Sequence, residues 1–158
     1  MSKRLAALCI AISLVFISMA AFAEETFHDR EISERFIVQI DVSSLLKDTV
    51  RVSPDGAHVA YEAQAGSKLV VVVDGKEGTR YDGIGKGTLI FSPDSKHLGY
   101  RAGLNNKQLV VVDGKEGPQY DRIVNAGGGK IVFTSFGSLH YLAIKGSVIY
   151  LVEEKIRS

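Results

Sequence analysis

Histidine side chains recur at regular intervals along the chain, and histidine is a residue type that binds metal ions or transfers protons. His58, His97 and His140 occupy matching positions of a repeated segment. Each lies at the predicted start of a second strand rather than on an innermost one. Neighbouring repeats would also hold them farther apart than metal–nitrogen bonds of about 2 Å allow. We therefore interpret them as surface histidines.

Acidic residues recur in two identical Asp-Gly-Lys-Glu-Gly segments, which begin at Asp74 and Asp113 and include Glu77 and Glu116. Carboxylate oxygens are the ligands that calcium prefers, but each segment supplies too few for the roughly six to eight that calcium takes. The central lysine of each segment also opposes a cation. The segments therefore predict turns, with no metal and no cofactor.

Patterns for covalent or phosphate chemistry are missing from the sequence. The serines lack the Gly-x-Ser-x-Gly elbow, and the single cysteine, Cys9, lies in an apolar N-terminal run. Gly127-Gly128-Gly129-Lys130 lacks the spacing and the following Ser or Thr of a phosphate-binding loop, which favours a linker. We expect no catalytic residues and no enzymatic activity.

An internal duplication is the main signal in the sequence. Residues 49–82 and 88–121 match at an offset of 39, with 18 of 34 positions identical. A third, eroded copy spans residues 130–155, lacks the Pro-Asp turn, and aligns His140-Tyr141 with His97-Leu98. A period near 40 residues is typical of four-stranded propeller blades, so we predict an all-β fold with about three such units, at about 49–84, 88–123 and 130–155.

Each unit divides into four short strands separated by turn residues. In the second unit the predicted strands are Thr88–Ser92, His97–Arg101, Gln108–Val112 and Pro118–Ile123. In the Ser-Pro-Asp turn, Pro93 fixes φ and Asp94 can accept hydrogen bonds from the following backbone amides. Asp113-Gly114 supplies the positive φ values of a tight hairpin.

The pattern Phe/Val-Ser-Pro-Asp-Gly/Ser followed by a tyrosine, at residues 52–61 and 91–100, resembles the TolB-type (WD-like) propeller repeat of bacterial periplasmic proteins. The continuation Val-Val-Asp-Gly-Lys-Glu-Gly-x-x-Tyr-Asp is similar to a subgroup of uncharacterised exported repeat proteins. The resemblance covers roughly residues 49–155 and implies four-stranded blades, often six, used for protein contact or placed beside a catalytic domain.

Closure of the propeller needs more than this chain, because three blades do not make a closed ring. The third unit lacks its outermost strand, and Phe36–Val42 is a spare predicted strand in front of the first unit. One hypothesis is a six-bladed homodimer in which each N-terminal strand completes the partner's last blade. The alternative is a fragment or partial propeller that pairs with another protein through an open sheet edge.

The N-terminus predicts export. Lys3 and Arg4 precede an apolar run to Phe22, and Ala21-Phe22-Ala23 is a cleavage pattern, so residues 1–23 read as a signal peptide cleaved after Ala23. A flexible segment, 24–35, and the repeat domain, 36–158, would follow. The mature chain would carry 17 basic against 18 acidic residues and no cysteine. That balance favours neither nucleic acid nor membrane contact, and a periplasmic or secreted location is expected.

The function predicted from these features is a binding or scaffolding module with an unidentified protein partner. Alternatives are an accessory or gating propeller of a periplasmic hydrolase or peptidase, and a degenerate relic of a longer array. In the family's geometry the ligand face gathers the loops that join blades and the loops that join second to third strands. The polar groups predicted there are Lys86, Asn105, Asn106, Asn125 and Lys130.

Overall fold

The computed structural model describes residues 32–125, 130–134 and 137–157. These ranges contain thirteen β-strands and no helix, which confirms the all-β prediction. No helix long and apolar enough to span a membrane occurs in the described part of the chain. The signal peptide and its cleavage after Ala23 lie outside the described residues. All strands belong to the unit formed by residues 36–158.

The first sheet is antiparallel and contains four strands in chain order. These are β1 (Arg51–Val52), β2 (Val59–Ala65), β3 (Lys68–Val73) and β4 (Lys76–Tyr81). Leu45 forms an additional isolated bridge to Ala63, on the same edge of β2 that pairs with β1. The innermost position of the sheet is thus shared by two short pieces of chain.

The second sheet repeats this plan. It contains β5 (Gly83–Ile84), β6 (Ile90–Phe91), β7 (Leu98–Leu104), β8 (Lys107–Val112) and β9 (Lys115–Glu116). Both β5 and β6 pair with β7, at its two ends, so they are the halves of one interrupted inner strand.

The third sheet has the same divided inner strand but ends one strand earlier. β10 (Arg122–Ile123) and β11 (Val132–Phe133) both pair with β12 (Ser138–Lys145), and β13 (Val148–Lys155) pairs with the other edge of β12. Tyr61, Tyr100 and Tyr141 occupy the same position of the three middle strands, opposite valines, and all three are buried.

The fourth strand of the second unit differs from the prediction of Pro118–Ile123. Lys115–Glu116 and Tyr120 pair with β8, whereas Arg122–Ile123 already belongs to the third sheet. Gly117 donates its amide to the Val110 carbonyl at 2.9 Å within a bulge, and Pro118 has no amide to donate. The regular pairing therefore stops early, and the chain crosses to the next sheet at Asp121.

The predicted repeat position of His140 was wrong. His140 pairs with Val132 as Gly99 pairs with Ile90, so its counterpart in the second unit is Gly99, and Tyr141 corresponds to Tyr100. The alignment failed because the third unit lacks the Ser-Pro-Asp turn and has a different number of residues between its first two strands.

Phe36–Val42, predicted as a strand, is not one in the single chain. The reason is that a strand needs a partner, and no third strand of a preceding sheet is present among the described residues to pair with this segment. Its role in closing a sheet stays a prediction.

The three sheets pack through their faces, and each interface is an apolar cluster. Between the first and second sheets lie Val71, Tyr81, Tyr100 and Val111, with Tyr81 and Tyr100 edge to face at 6.1 Å. Between the second and third lie Val110, Ile123, Phe133 and Tyr141. Burial of these aromatic and branched side chains supplies the main driving force for folding.

Candidate binding cleft

Two Ser-Pro-Asp turns stand at the same end of the first and second sheets. In the first, the Ser53 hydroxyl donates to Asp55 Oδ1 at 2.5 Å, and Asp55 Oδ1 also accepts the Ala57 amide at 2.9 Å. The Ser53 Oγ accepts the His58 amide at 2.9 Å. The serine bond, together with the amide bond, lowers the pKa of Asp55 below its usual value.

The second turn repeats this network with Ser92, Asp94 and His97, and the Ser92 hydroxyl likewise lowers the pKa of Asp94. The prediction that the aspartate accepts the following amides is confirmed. Each turn is therefore a closed local network whose position is fixed by its own side chains.

Two Asp-Gly hairpins lie beside these turns. Asp113 and Gly114 have φ values of 50° and 75°, and Asp74 and Gly75 have 49° and 79°, which confirms the predicted tight turns. Each aspartate uses one carboxylate oxygen for a backbone amide and the other for an imidazole. Asp74 accepts from Val59 N at 2.9 Å and lies 2.8 Å from His58 Nδ1.

In the second copy, Asp113 accepts from Leu98 N at 2.9 Å and lies 2.7 Å from His97 Nδ1. The His–Asp pairs thus tie the end of the third strand to the start of the second. Two of the three histidines that the sequence indicated as surface residues, His58 and His97, have this structural role.

A hydrogen bond joins the two Ser-Pro-Asp turns across the sheets. The backbone amide of Asp55 donates to Ser95 Oγ at 3.0 Å. Ser95 is buried and has a φ of 65°. Because this bond connects corresponding turns of neighbouring units, it fixes the separation of the two sheets at this end.

Between these turns lies a cleft of about 620 Å³ with walls from both of the first two sheets. Its floor is apolar and comprises Val71, Val73, Phe91, Leu98 and Tyr100. Its rim is charged and mixed in sign, with Lys76, Glu77 and Lys96 beside the two His–Asp pairs. We refer to this feature as the binding cleft. An apolar floor beneath a few polar groups is the usual composition of a ligand site.

Two corresponding aromatic residues pack differently at the two interfaces between sheets. At the second interface, Phe133 is buried and its ring lies over Gly99, where a Cβ would come within 3.0 Å of the ring. At the first interface, the residue corresponding to Gly99 is Ala60, and Phe91 is only half-buried and lines the cleft. We infer that the Ala60 methyl occupies the space that Phe133 uses at the other interface.

Of the polar residues predicted from the sequence, the two hairpin asparagines lie at the other end of the sheets, whereas Lys86, Asn125 and Lys130 lie where the inner strands are interrupted. Asn105 and Asn106 form the hairpin turn between β7 and β8, with φ values of 52° and 60°. The Asn125 side chain donates to the Lys86 carbonyl at 3.4 Å, so these two predicted residues do meet. Lys130 is exposed. No hydrogen bond among the described residues joins the two asparagines of the hairpin to Lys86 or Asn125.

The cleft residues were missed from the sequence although their motifs were recognised. The Ser-Pro-Asp and Asp-Gly-Lys-Glu-Gly segments were interpreted as turns, which they are. The available signal was their duplication, because two sets of turns at the same end of adjacent sheets must face each other. Within the described ranges no group of three His, Cys, Asp or Glu side chains is arranged to hold a metal ion.

Comparisons with protein-family models, with curated proteins and with solved structures found no match to this chain.

Proposed function

We propose that this chain is an exported, propeller-type repeat module that binds polypeptide partners in the cleft between its first two sheets. Support for propeller-type units comes from the common plan of the sheets: a divided inner strand, a long middle strand, a third strand and, in two sheets, a fourth. The N-terminal leader pattern at residues 3–23 supports export.

The binding cleft is the observation that carries the proposal. Its volume of about 620 Å³ accommodates a few side chains, and its floor would take an apolar anchor. The rim carries both lysines and carboxylates, which suits the charged groups and backbone amides of a polypeptide. The hydrogen-bonded turns on either side hold the walls in place before binding, which reduces the entropic cost of association.

Selection from a phage-displayed peptide library tests the proposal. We expect the purified protein to enrich peptides with an aromatic or large aliphatic residue, and the affinity of one synthetic peptide is then measured by fluorescence polarisation. Val73→Phe adds bulk at the cleft wall and is expected to weaken binding at least about tenfold, which corresponds to about 1.4 kcal/mol.

Two controls locate the effect. Val52→Phe makes the same substitution on β1 at a side chain that is 57% exposed, and it should leave affinity unchanged. The double variant Lys86→Ala, Lys130→Ala tests the loops predicted from the sequence and should also bind as the wild type does. Peptides that bind Val73→Phe normally but lose affinity for the double variant would place the site at the loops between the halves of the inner strands and overturn the proposal.

A further inference from the structure

The outer strand of the third sheet presents apolar side chains that the first two sheets bury. β13 pairs with β12 along one edge, and its other edge has no strand partner in the described residues. Leu151 is 62% exposed, whereas Val71 and Val110, at the corresponding position of β3 and β8, are 1% and 0% exposed. The second sheet covers Val71 and the third covers Val110, whereas among the described residues no sheet covers Leu151 and no fourth strand pairs with β13.

A segment near the N-terminus occupies the repeat position of that missing strand. Moving β4 (76–81) back by the 39-residue offset gives residues 37–42, with the sequence Ile-Val-Gln-Ile-Asp-Val. The segment leads into Leu45, which bridges Ala63 just as Ile84 pairs with Ala102 after β4. Ile40 packs against the apolar cluster of the first sheet.

This segment nevertheless has no strand beside it in the part of the chain that the structure describes, and its apolar side chains are incompletely buried. Phe36 and Val42, at its two ends, are 81% and 79% exposed. Among the described residues, a segment at the repeat position of a fourth strand has no third strand beside it, and the third strand β13 has no fourth.

The register of the two elements follows from the pairing of β4 with β3. A groove of about 440 Å³ runs beside β13, with Lys145 and Glu153 among its lining residues. In the antiparallel register that β4 keeps with β3, Ile37 stands opposite Glu153. In the same register Asp41 stands opposite Tyr150, and Arg35 would come opposite Lys155, so the pairing rests on backbone hydrogen bonds and apolar contact and not on opposite charges.

We propose that two copies of the chain associate by strand exchange, residues 37–42 of each copy pairing with the free edge of β13 in the other. Such a dimer has two-fold symmetry and leaves neither apolar edge exposed. The proposed dimer goes beyond the binding function proposed above, and its formation does not depend on ligand binding in the cleft. A dimer would carry two binding clefts.

Cross-linking between single-cysteine variants tests the exchange. In a Cys9→Ser background, Ile37→Cys and Glu153→Cys are prepared separately and also co-expressed with different affinity tags. Under mild oxidation we expect a disulfide-linked heterodimer only in the co-expressed sample. A cross-link formed by Glu153→Cys alone would mean that two β13 edges pair with each other, which would overturn the proposal.

Light scattering coupled to size exclusion gives a second readout. Gln39→Pro removes an amide from the exposed segment and should convert the dimer to a monomer, whereas Ser33→Pro, a matched change upstream, should leave the dimer intact. A monomeric wild-type protein at micromolar concentration would also overturn the exchange. If that monomer still binds selected peptides through the cleft, only the dimer is refuted and the proposed function stands.

Discussion

Asp82 Oδ2 accepts a hydrogen bond from the backbone amide of Asn105 at 2.8 Å, which joins the end of the first sheet to a hairpin turn of the second. Asp82 also forms an ion pair with Lys68 in its own sheet. Asp121 repeats the arrangement one unit later, with Lys107 and the amide of Gly146. An aspartate at each crossing thus connects consecutive sheets at the end opposite the cleft.

Replacing Asp82 with Asn should therefore destabilise the fold at neutral pH. The Lys68 ammonium, with the Asn105 amide, lowers the pKa of Asp82 in the folded state. A lowered pKa means that the contribution to stability is present above the usual value near 3.8 and is lost as pH falls through the folded pKa. Asp82→Asn should lower the urea midpoint at pH 7 and reduce the loss of stability below pH 4.

Asp48→Asn is the control for this change, since an exposed aspartate at a φ of 65° tolerates asparagine. Equal midpoints for the two variants at pH 7 would show that the bond between the sheets contributes nothing measurable.

Gly99→Ala should destabilise the interface between the second and third sheets. The added Cβ would lie 3.0 Å from Cζ and 3.1 Å from Cε2 of Phe133, and a buried ring has little room to move. Overpacking of this kind costs about 1–3 kcal/mol, measurable by urea unfolding. Gly83→Ala is the matched control, because nothing lies within 4 Å of its Cβ position. A Gly99→Ala variant as stable as Gly83→Ala would contradict the packing described here.

Glu62→Gln should stabilise the protein at neutral pH. Glu62 is buried, and burial raises the pKa of its carboxyl, with Arg51 acting in the opposite direction. A raised pKa favours folding below the unfolded value near 4.5, and this contribution is lost as pH rises through the folded pKa. The variant should exceed the wild type in unfolding free energy at pH 7 and match it at pH 4.

The exposed Glu77→Gln should show no such difference between pH 4 and pH 7. A lower stability of Glu62→Gln at pH 7 would mean that the attraction between the Glu62 carboxylate and the Arg51 charge outweighs the cost of burial.

Local turn chemistry was readable from the sequence, because the groups involved lie within a few residues of one another. The bond from Ser92 to Asp94 and the positive φ of Asp113 follow from residue type and immediate neighbours. The strands built from Val-rich segments were also predictable in kind, since such residues favour buried β-structure.

Features that depend on residues far apart in the sequence could not be predicted from it. The assignment of Arg122–Ile123 to the third sheet depends on β12, whose residues lie about twenty positions further on. The cleft is lined by Phe91 of the second sheet and by Val71 and Val73 of the first, so its shape depends on how strands far apart in sequence pack. Sequence patterns therefore predict the strands, whereas the surfaces that remain exposed depend on which other strands pack against them.

The most direct test of the proposed function is hydrogen–deuterium exchange with and without a selected peptide. Binding in the cleft predicts slower exchange at residues 74–78 and 94–98, on the two facing walls, with little change at the loops 85–87 and 103–106. Slower exchange at those loops, with the cleft walls unchanged, would contradict the proposal that this cleft is where the protein binds its partner.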